Sequence, residues 1–196
     1  MSKAEETREW IIEKAAPLFN TQGYAGTSMR DIMEITELSK GCIYGHFKNK
    51  DQIALIIFDY NFNRITDYIK GKLLATDHSI ERLRVYPHVY RSYQEVPFLQ
   101  TGCPILNTAT EADDTHPELR KRAAKALEVW KKALENQIKR GIARKEIKSE
   151  TDATEFAVIM ISMIEGAFMQ AKASGRTTEL TIAMNYLEKM ILNIKN

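Results

Sequence analysis

Apolar residues return at every third or fourth position along most of this 196-residue chain, and little interrupts them. That period belongs to the buried face of a helix, not to the strict alternation of a half-buried strand. Composition supports the same reading: nine Gly, five Pro and only five Val leave few breakers and few strand formers. The chain is therefore expected to be all-α, with about nine helices. Its length suits one large domain or two small ones, enough to bury a core without cross-links. Two Cys give no disulfide framework. The apolar stretch around Phe156–Ile164 is too short to span a bilayer. The charged start MSKAEETREW does not read as a signal peptide. A cytoplasmic protein with no membrane partner is the expectation.

Helix signals divide the chain. A stripe of Ile11, Ile12, Ala15, Ala16 and Phe19 predicts a first helix over about 3–22, with Gly23 as its left-handed stop. Ser28 and Asp31 form a capping pattern for a short second helix ending near Thr36, with Thr27 as the alternative cap. Ser39 caps a third, to Phe47. Two helices of about two turns, separated by Glu37-Leu38, fit helix-turn-helix geometry. Asn49 and Gln52 open a long fourth helix to about Leu74, a rod joining two functions without a linker. A fifth segment, 79–96, carries Pro87 and should kink or break there. After a loop at 97–102, Pro104 and Pro117 stand at the first positions of the next two helices. Asp152 caps the eighth, apolar nearly all round, and 178–194 forms the ninth.

Net charge is +2, and the first 60 residues hold seven Lys and Arg against nine Asp and Glu. Any affinity of this end for nucleic acid must therefore be local. Between Ser39 and Lys50 stand Lys40, His46, Lys48 and Lys50, with no acid. On a helical wheel Ile43 and Phe47 share one pole, with Ser39 close behind. Gly41 and Gly45 hold the other, flanked by Cys42 and Tyr44. A short helix that is lean outside, pinned inside and led by free amides suits entry into a major groove. Lys48 and Lys50 follow, placed for flanking phosphates. On spacing alone, an ordinary surface helix with lysines fits equally well.

The run LFNTQGYAGTSMRDIMEITELSKGCIYGHFKNKDQI resembles the DNA-binding domain of the TetR family of transcriptional regulators. The resemblance rests on Phe19, Gly23-Tyr24, Thr27-Ser28, Asp31-Ile32, Ser39-Lys40-Gly41, Tyr44, Phe47 and Lys50, and covers roughly residues 8–60. It implies a helix-turn-helix DNA-binding domain over 1–50 and an effector-binding and dimerisation domain over 51–196. It further implies that Thr27, Ser28 and Arg30 meet the DNA backbone or a groove edge. Lys40, Gly41 and Cys42 take base-facing positions, Tyr44 and His46 meet phosphates or the groove wall, and Lys50 meets a phosphate. Two positions depart from the family pattern. Glu37 replaces a usual Gly, so the turn should face away from DNA. Gly45 replaces a bulkier residue, which thins side-chain readout in favour of shape.

The resemblance also implies an effector pocket in the C-terminal helices. Tyr86, Tyr90, Tyr93, Phe98, Trp130, Met163 and Phe168 are candidate linings, with core packing the alternative for each. Cys103, expected as the N-cap before Pro104, would have its thiolate favoured by the helix end. The stretch Thr101-Gly102-Cys103-Pro104-Ile105-Leu106-Asn107 resembles a G-C-x-x-x-N stretch in a branch whose members include some that sense oxidants or electrophiles. Lys172 is the candidate helper cation, and an inert buried thiol is the alternative. Phe156, Ile159, Met160, Met163, Leu180, Met184, Leu187 and Ile191 lie on two adjacent apolar helices. They suggest a two-fold, four-helix dimer seam. The expected function is a ligand-responsive DNA-binding regulator, with operator DNA, a small effector and a second copy as partners and no cofactor or metal. The alternative is an all-helical enzyme or binding protein without a DNA target. No Ser/His/Asp or Cys/His pair falls in a local motif to support an enzyme.

Overall fold

Helix α1 (Lys3–Gly26) opens with a capping box. The Glu5 amide donates to the Ser2 hydroxyl and the Ser2 amide to the Glu5 carboxylate, at 2.7 Å for the latter. The chain is described here over residues 2–196 by a computed structural model. The first helical run of α1 stops at Gly23 (φ 73°, ψ −178°), where the sequence placed its end, and a short further turn reaches Gly26 beyond that kink. That positive-φ conformation is essentially confined to glycine, although its ψ lies outside the αL well expected.

α2 (Met29–Thr36) has the predicted capping box of Ser28 and Asp31, and Glu37 closes it in the left-handed region at φ 58°. α3 (Lys40–His46) follows the Ser39 cap. α4 (Lys50–Leu73) is one continuous helix, begun by Asn49, whose side-chain oxygen accepts from the Gln52 amide at 2.8 Å. α5 (Ser79–Arg91) runs through Pro87 and stops a turn later. Proline costs that helix one amide donor, but Pro87 and its neighbours Tyr86, Val89 and Tyr90 are buried, and packing holds the segment helical. The rest of the expected fifth segment is a 3-10 turn (Tyr93–Glu95), and the expected loop contains α6 (Pro97–Gln100).

α7 (Pro104–Ala112), α8 (Pro117–Ala143), α9 (Ala153–Ser174) and α10 (Thr178–Asn193) complete the chain. Asp152 caps α9 by accepting from the Thr154 and Glu155 amides. Nine helices of seven residues or more are thus present among the described residues, and the fold is all-α. α9 is long and apolar enough to cross a membrane by length and composition alone, contrary to the shorter stretch read from sequence. It is instead a core helix, with nine buried residues, packed against α10 and α5.

Packing divides the chain into two units. The first comprises everything described up to Ile65 together with Thr101–Ala126, so α7 and the start of α8 pack with the helix-turn-helix. Its core joins Ile11, Ile12, Ala15 and Ala16 of α1 to Ile32 of α2, Ile43 and Phe47 at α3, and Ile53 and Ile57 of α4. The second comprises Thr66–Gln100 and Leu127–Asn196. There α10 packs on α9 and α5, and Glu188 of α10 accepts from Arg84 (2.6 Å) and Arg91 (3.3 Å) and pairs with His88 (3.1 Å). A bridge between Ile147 and Lys195 ties down the last residues.

Candidate nucleic-acid interface

The three short elements from Ser28 to Lys50 place their apolar residues on one side. Ile43 and Phe47 are buried in the first unit's core, the pole assigned from the wheel. The other side of α3 is open: Lys40, Gly41, Tyr44 and Gly45 are exposed, Tyr44 by 42%. A Cβ built on Gly41 or Gly45 would meet nothing within 4 Å. The Lys40 ammonium lies 5.7 Å from the Tyr44 ring centroid, so charge and aromatic face form one feature. Arg30 and Lys48 are also exposed, and Cys42 and His46 partly so. One of the expected free amides is taken, since the Cys42 N–H donates to the Ser39 hydroxyl at 3.3 Å. Ser28 is exposed, and the amide of Asp31 donates to its hydroxyl at 3.2 Å. The Ser28 amide bonded to the Asp31 carboxylate holds that acid below its usual range.

Two assigned contacts are corrected. Thr27 is fully buried, and its hydroxyl donates to the Gly23 carbonyl at 2.7 Å. A threonine following the kink is better used closing it than facing solvent. Lys50 turns its ammonium inward, donating to the carbonyls of Tyr24 (2.8 Å) and Thr27 (3.0 Å) beside the Tyr24 ring, 4.1 Å from its centroid. Those carbonyls have left the helix ladder and need a donor. Both residues build the corner between α1 and α2.

The same corner is held from α7, which sequence reasoning missed. The Glu111 carboxylate accepts from the Tyr24 and Ala25 amides, each at 2.8 Å. A Cβ on Gly23 would fall 2.4 Å from that carboxylate. One turn earlier, the Asn107 side-chain amide donates to the Asn20 carbonyl at 2.7 Å. The Asn20 side chain in turn donates to Gly102 O and Thr101 Oγ1, both at 2.8 Å. Gly102, at φ 112°, leaves room for Asn107, whose nitrogen would lie 2.4 Å from any Cβ there. The Gly and Asn of the quoted stretch were visible in sequence; their partners lie more than 80 residues away. Tyr24 also donates to Asp51, which pushes its phenol up to about 12, and His116 meets the Tyr24 ring edge-on at 4.6 Å.

Cys103 is the N-cap of α7 and is only 1% exposed, which fits the buried thiol weighed against a sensor. Lys172 donates to the Gln100 carbonyl at 2.6 Å. In the second unit, Tyr86, Tyr90, Tyr93, Trp130 and Phe168 are buried together, while Phe98 and Met163 are half-buried. Phe98 meets Tyr68 edge-on at 5.6 Å. The dimer assignment also needs correction. Phe156, Met160, Leu180, Met184, Leu187 and Ile191 are buried within the single chain, where α9, α10 and α5 already cover them. Ile159 and Met163 are only partly covered. Val158 and Met169 of α9 and Ile182 and Tyr186 of α10 face solvent instead.

An all-α fold with an exposed helix that carries Lys40 and is lean at Gly41 and Gly45, behind a short left-handed turn, has the form of a helix-turn-helix DNA-binding domain. Residues 11–56 match the model for bacterial regulatory proteins of the tetR family, and residues 79–187 that for the tetracyclin repressor-like C-terminal domain. The chain belongs to the TetR family of transcriptional regulators. It is similar to solved TetR-family regulators from Cytophaga hutchinsonii and Chloroflexus aurantiacus. Each is 42% identical, with a TM-score of 0.94 over 100% of this chain and 98% of the other. It is 25% identical to the HTH-type transcriptional repressor DhaR of Mycobacterium sp. (strain GP1), over 96% of both chains.

Proposed function

We propose that the protein is a homodimeric repressor that binds a pseudo-palindromic operator and is released by a small-molecule effector. The open face of α3 above a buried Ile43 and Phe47 carries this reading. Lys40, Gly41, Cys42, Tyr44 and Gly45 enter the major groove, with Ser28, Arg30, Ser39, His46 and Lys48 at the flanking backbone. Thr27 and Lys50 act through the corner they hold. In the dimer the two α3 helices stand about 34–36 Å apart, one turn of the duplex. The apolar residues that α9 and α10 leave exposed supply the seam, led by Ile182 (65% exposed) and Tyr186 (60% exposed). The work is cytoplasmic, where the operator is.

The aromatic cluster of the second unit is the effector site. An effector shifts operator affinity only through its differential affinity for two conformers. The chain passes between the two units within α4, after Gln100 and within α8. At the second crossing, Lys172 donates to Gln100 within the second unit and Asn20 donates to Thr101 and Gly102 within the first. The experiment is selection of bound fragments from random DNA, followed by anisotropy titration. Tyr44→Ala and Lys40→Ala should each weaken binding about tenfold or more while sedimentation still shows the dimer. Unchanged affinity in both variants removes α3 as the reader.

A further inference from the structure

Trp130 of α8 is 7% exposed, and its indole N–H is buried with no acceptor. Such donors are rare in folded proteins and call for an explanation. Its surroundings are unusual too. The ring stacks on Tyr90 (centroids 5.9 Å, planes 11° apart) and on Tyr86 (6.4 Å, 22°), which lie one turn apart on α5. Phe168 of α9 stands edge-on to Tyr90 at 5.7 Å and to Tyr93 at 4.9 Å. Flat aromatic walls favour a flat aromatic guest. Trp130 Nε1 is the buried donor among them that lacks a partner, and it asks that guest for an oxygen acceptor.

Burial pushes the Tyr86 phenol up to about 12, so it contributes no charge near neutrality. We infer that the effector class is a planar aromatic ketone whose carbonyl oxygen accepts from Trp130 Nε1. This rests on the proposal that the aromatic cluster is the effector site. A guest of the same shape without the oxygen leaves the indole donor buried and unpaired, and a site built around a hydrogen bond rejects that analogue strongly.

The test is equilibrium dialysis of the full-length protein against 9-fluorenone and against fluorene, which share a flat tricyclic shape and differ in the carbonyl. Wild type should bind fluorenone at least tenfold more tightly. Trp130→Phe should weaken fluorenone alone and bring the two within about threefold. Equal binding by wild type, or a preference that survives in Trp130→Phe, overturns the inference while leaving the site in place. Binding of neither probe removes the aromatic cluster as the effector site, and the inference with it. A second readout does not depend on the variant folding. With indole-labelled Trp10 and Trp130, fluorenone should move only the Trp130 Nε1–H resonance downfield, and fluorene should not. A Trp130 signal unmoved by bound fluorenone overturns the assignment.

Discussion

Lys50 shows how a residue's type misleads without its surroundings. A lysine just past a reader helix suggests a phosphate contact, but this ammonium spends its hydrogen bonds on two carbonyls of the α1–α2 corner. Lys50→Ala should therefore lower the thermal midpoint as well as operator affinity. Lys40→Ala should leave the midpoint alone and reduce the salt slope of binding by about one. Melting curves and a salt titration of both variants separate the two roles. Glu37 sits at φ 58° with a side chain where glycine has no penalty. Glu37→Gly should raise stability by up to about 1 kcal/mol in urea unfolding, the relief of a left-handed residue less the entropy glycine adds to the unfolded chain. The buried Cys103 gives a further expectation: a thiol reagent should modify the partly exposed Cys42 first in the native protein, with Cys103 following on unfolding. Comparable native rates would contradict the burial. The wheel of α3 was legible because three or four residues fix its faces locally. The fates of Lys50 and Thr27 were not, because elements brought in by tertiary packing decide them.

Pairs of helices are joined here by a few ionic and capping contacts that make separate predictions. Between α5 and α10, Glu188 is held down to about 2 against the cost of its burial, by hydrogen bonds from Arg84 and His88 and their charges. A carboxylate lowered in the fold lends stability that is complete above its ordinary range near 4.5. That stability drains away as pH falls toward 2. Glu188→Gln should cost about 2 kcal/mol at pH 7 and flatten the acid limb of a stability–pH curve. If the limb is unchanged, other carboxylates govern it. Between α7 and α1, Glu111→Ala leaves the amides of Tyr24 and Ala25 without their acceptor. A cost of about 1–3 kcal/mol follows, with faster hydrogen exchange at those two amides and weaker operator binding. Helix starts were legible in sequence because caps are local: Ser28, Ser39, Asn49 and Asp152 all act as read. The ends were less so. α5 crosses Pro87, since burial offset the local signal there.

For the whole molecule, apolar spacing made the all-α class readable, and the resemblance of residues 8–60 pointed to DNA. The dimer seam was misassigned because helical periodicity finds buried faces without saying what buries them. Six of the eight proposed seam residues are consumed by the chain's own core. Ile182→Glu with Tyr186→Glu should therefore give a folded monomer by sedimentation, with operator affinity falling as cooperative half-site binding is lost. A dimer that survives both substitutions places its seam elsewhere. The grouping of α7 and the start of α8 with the reader also bears on protein engineering. A biosensor chimera cut near residue 50 would transplant a reader whose first helix has lost the carboxylate and amide that finish its corner. Residues 101–126 would have to travel with the graft, or a replacement clasp be designed, before a foreign sensor could be expected to command this operator.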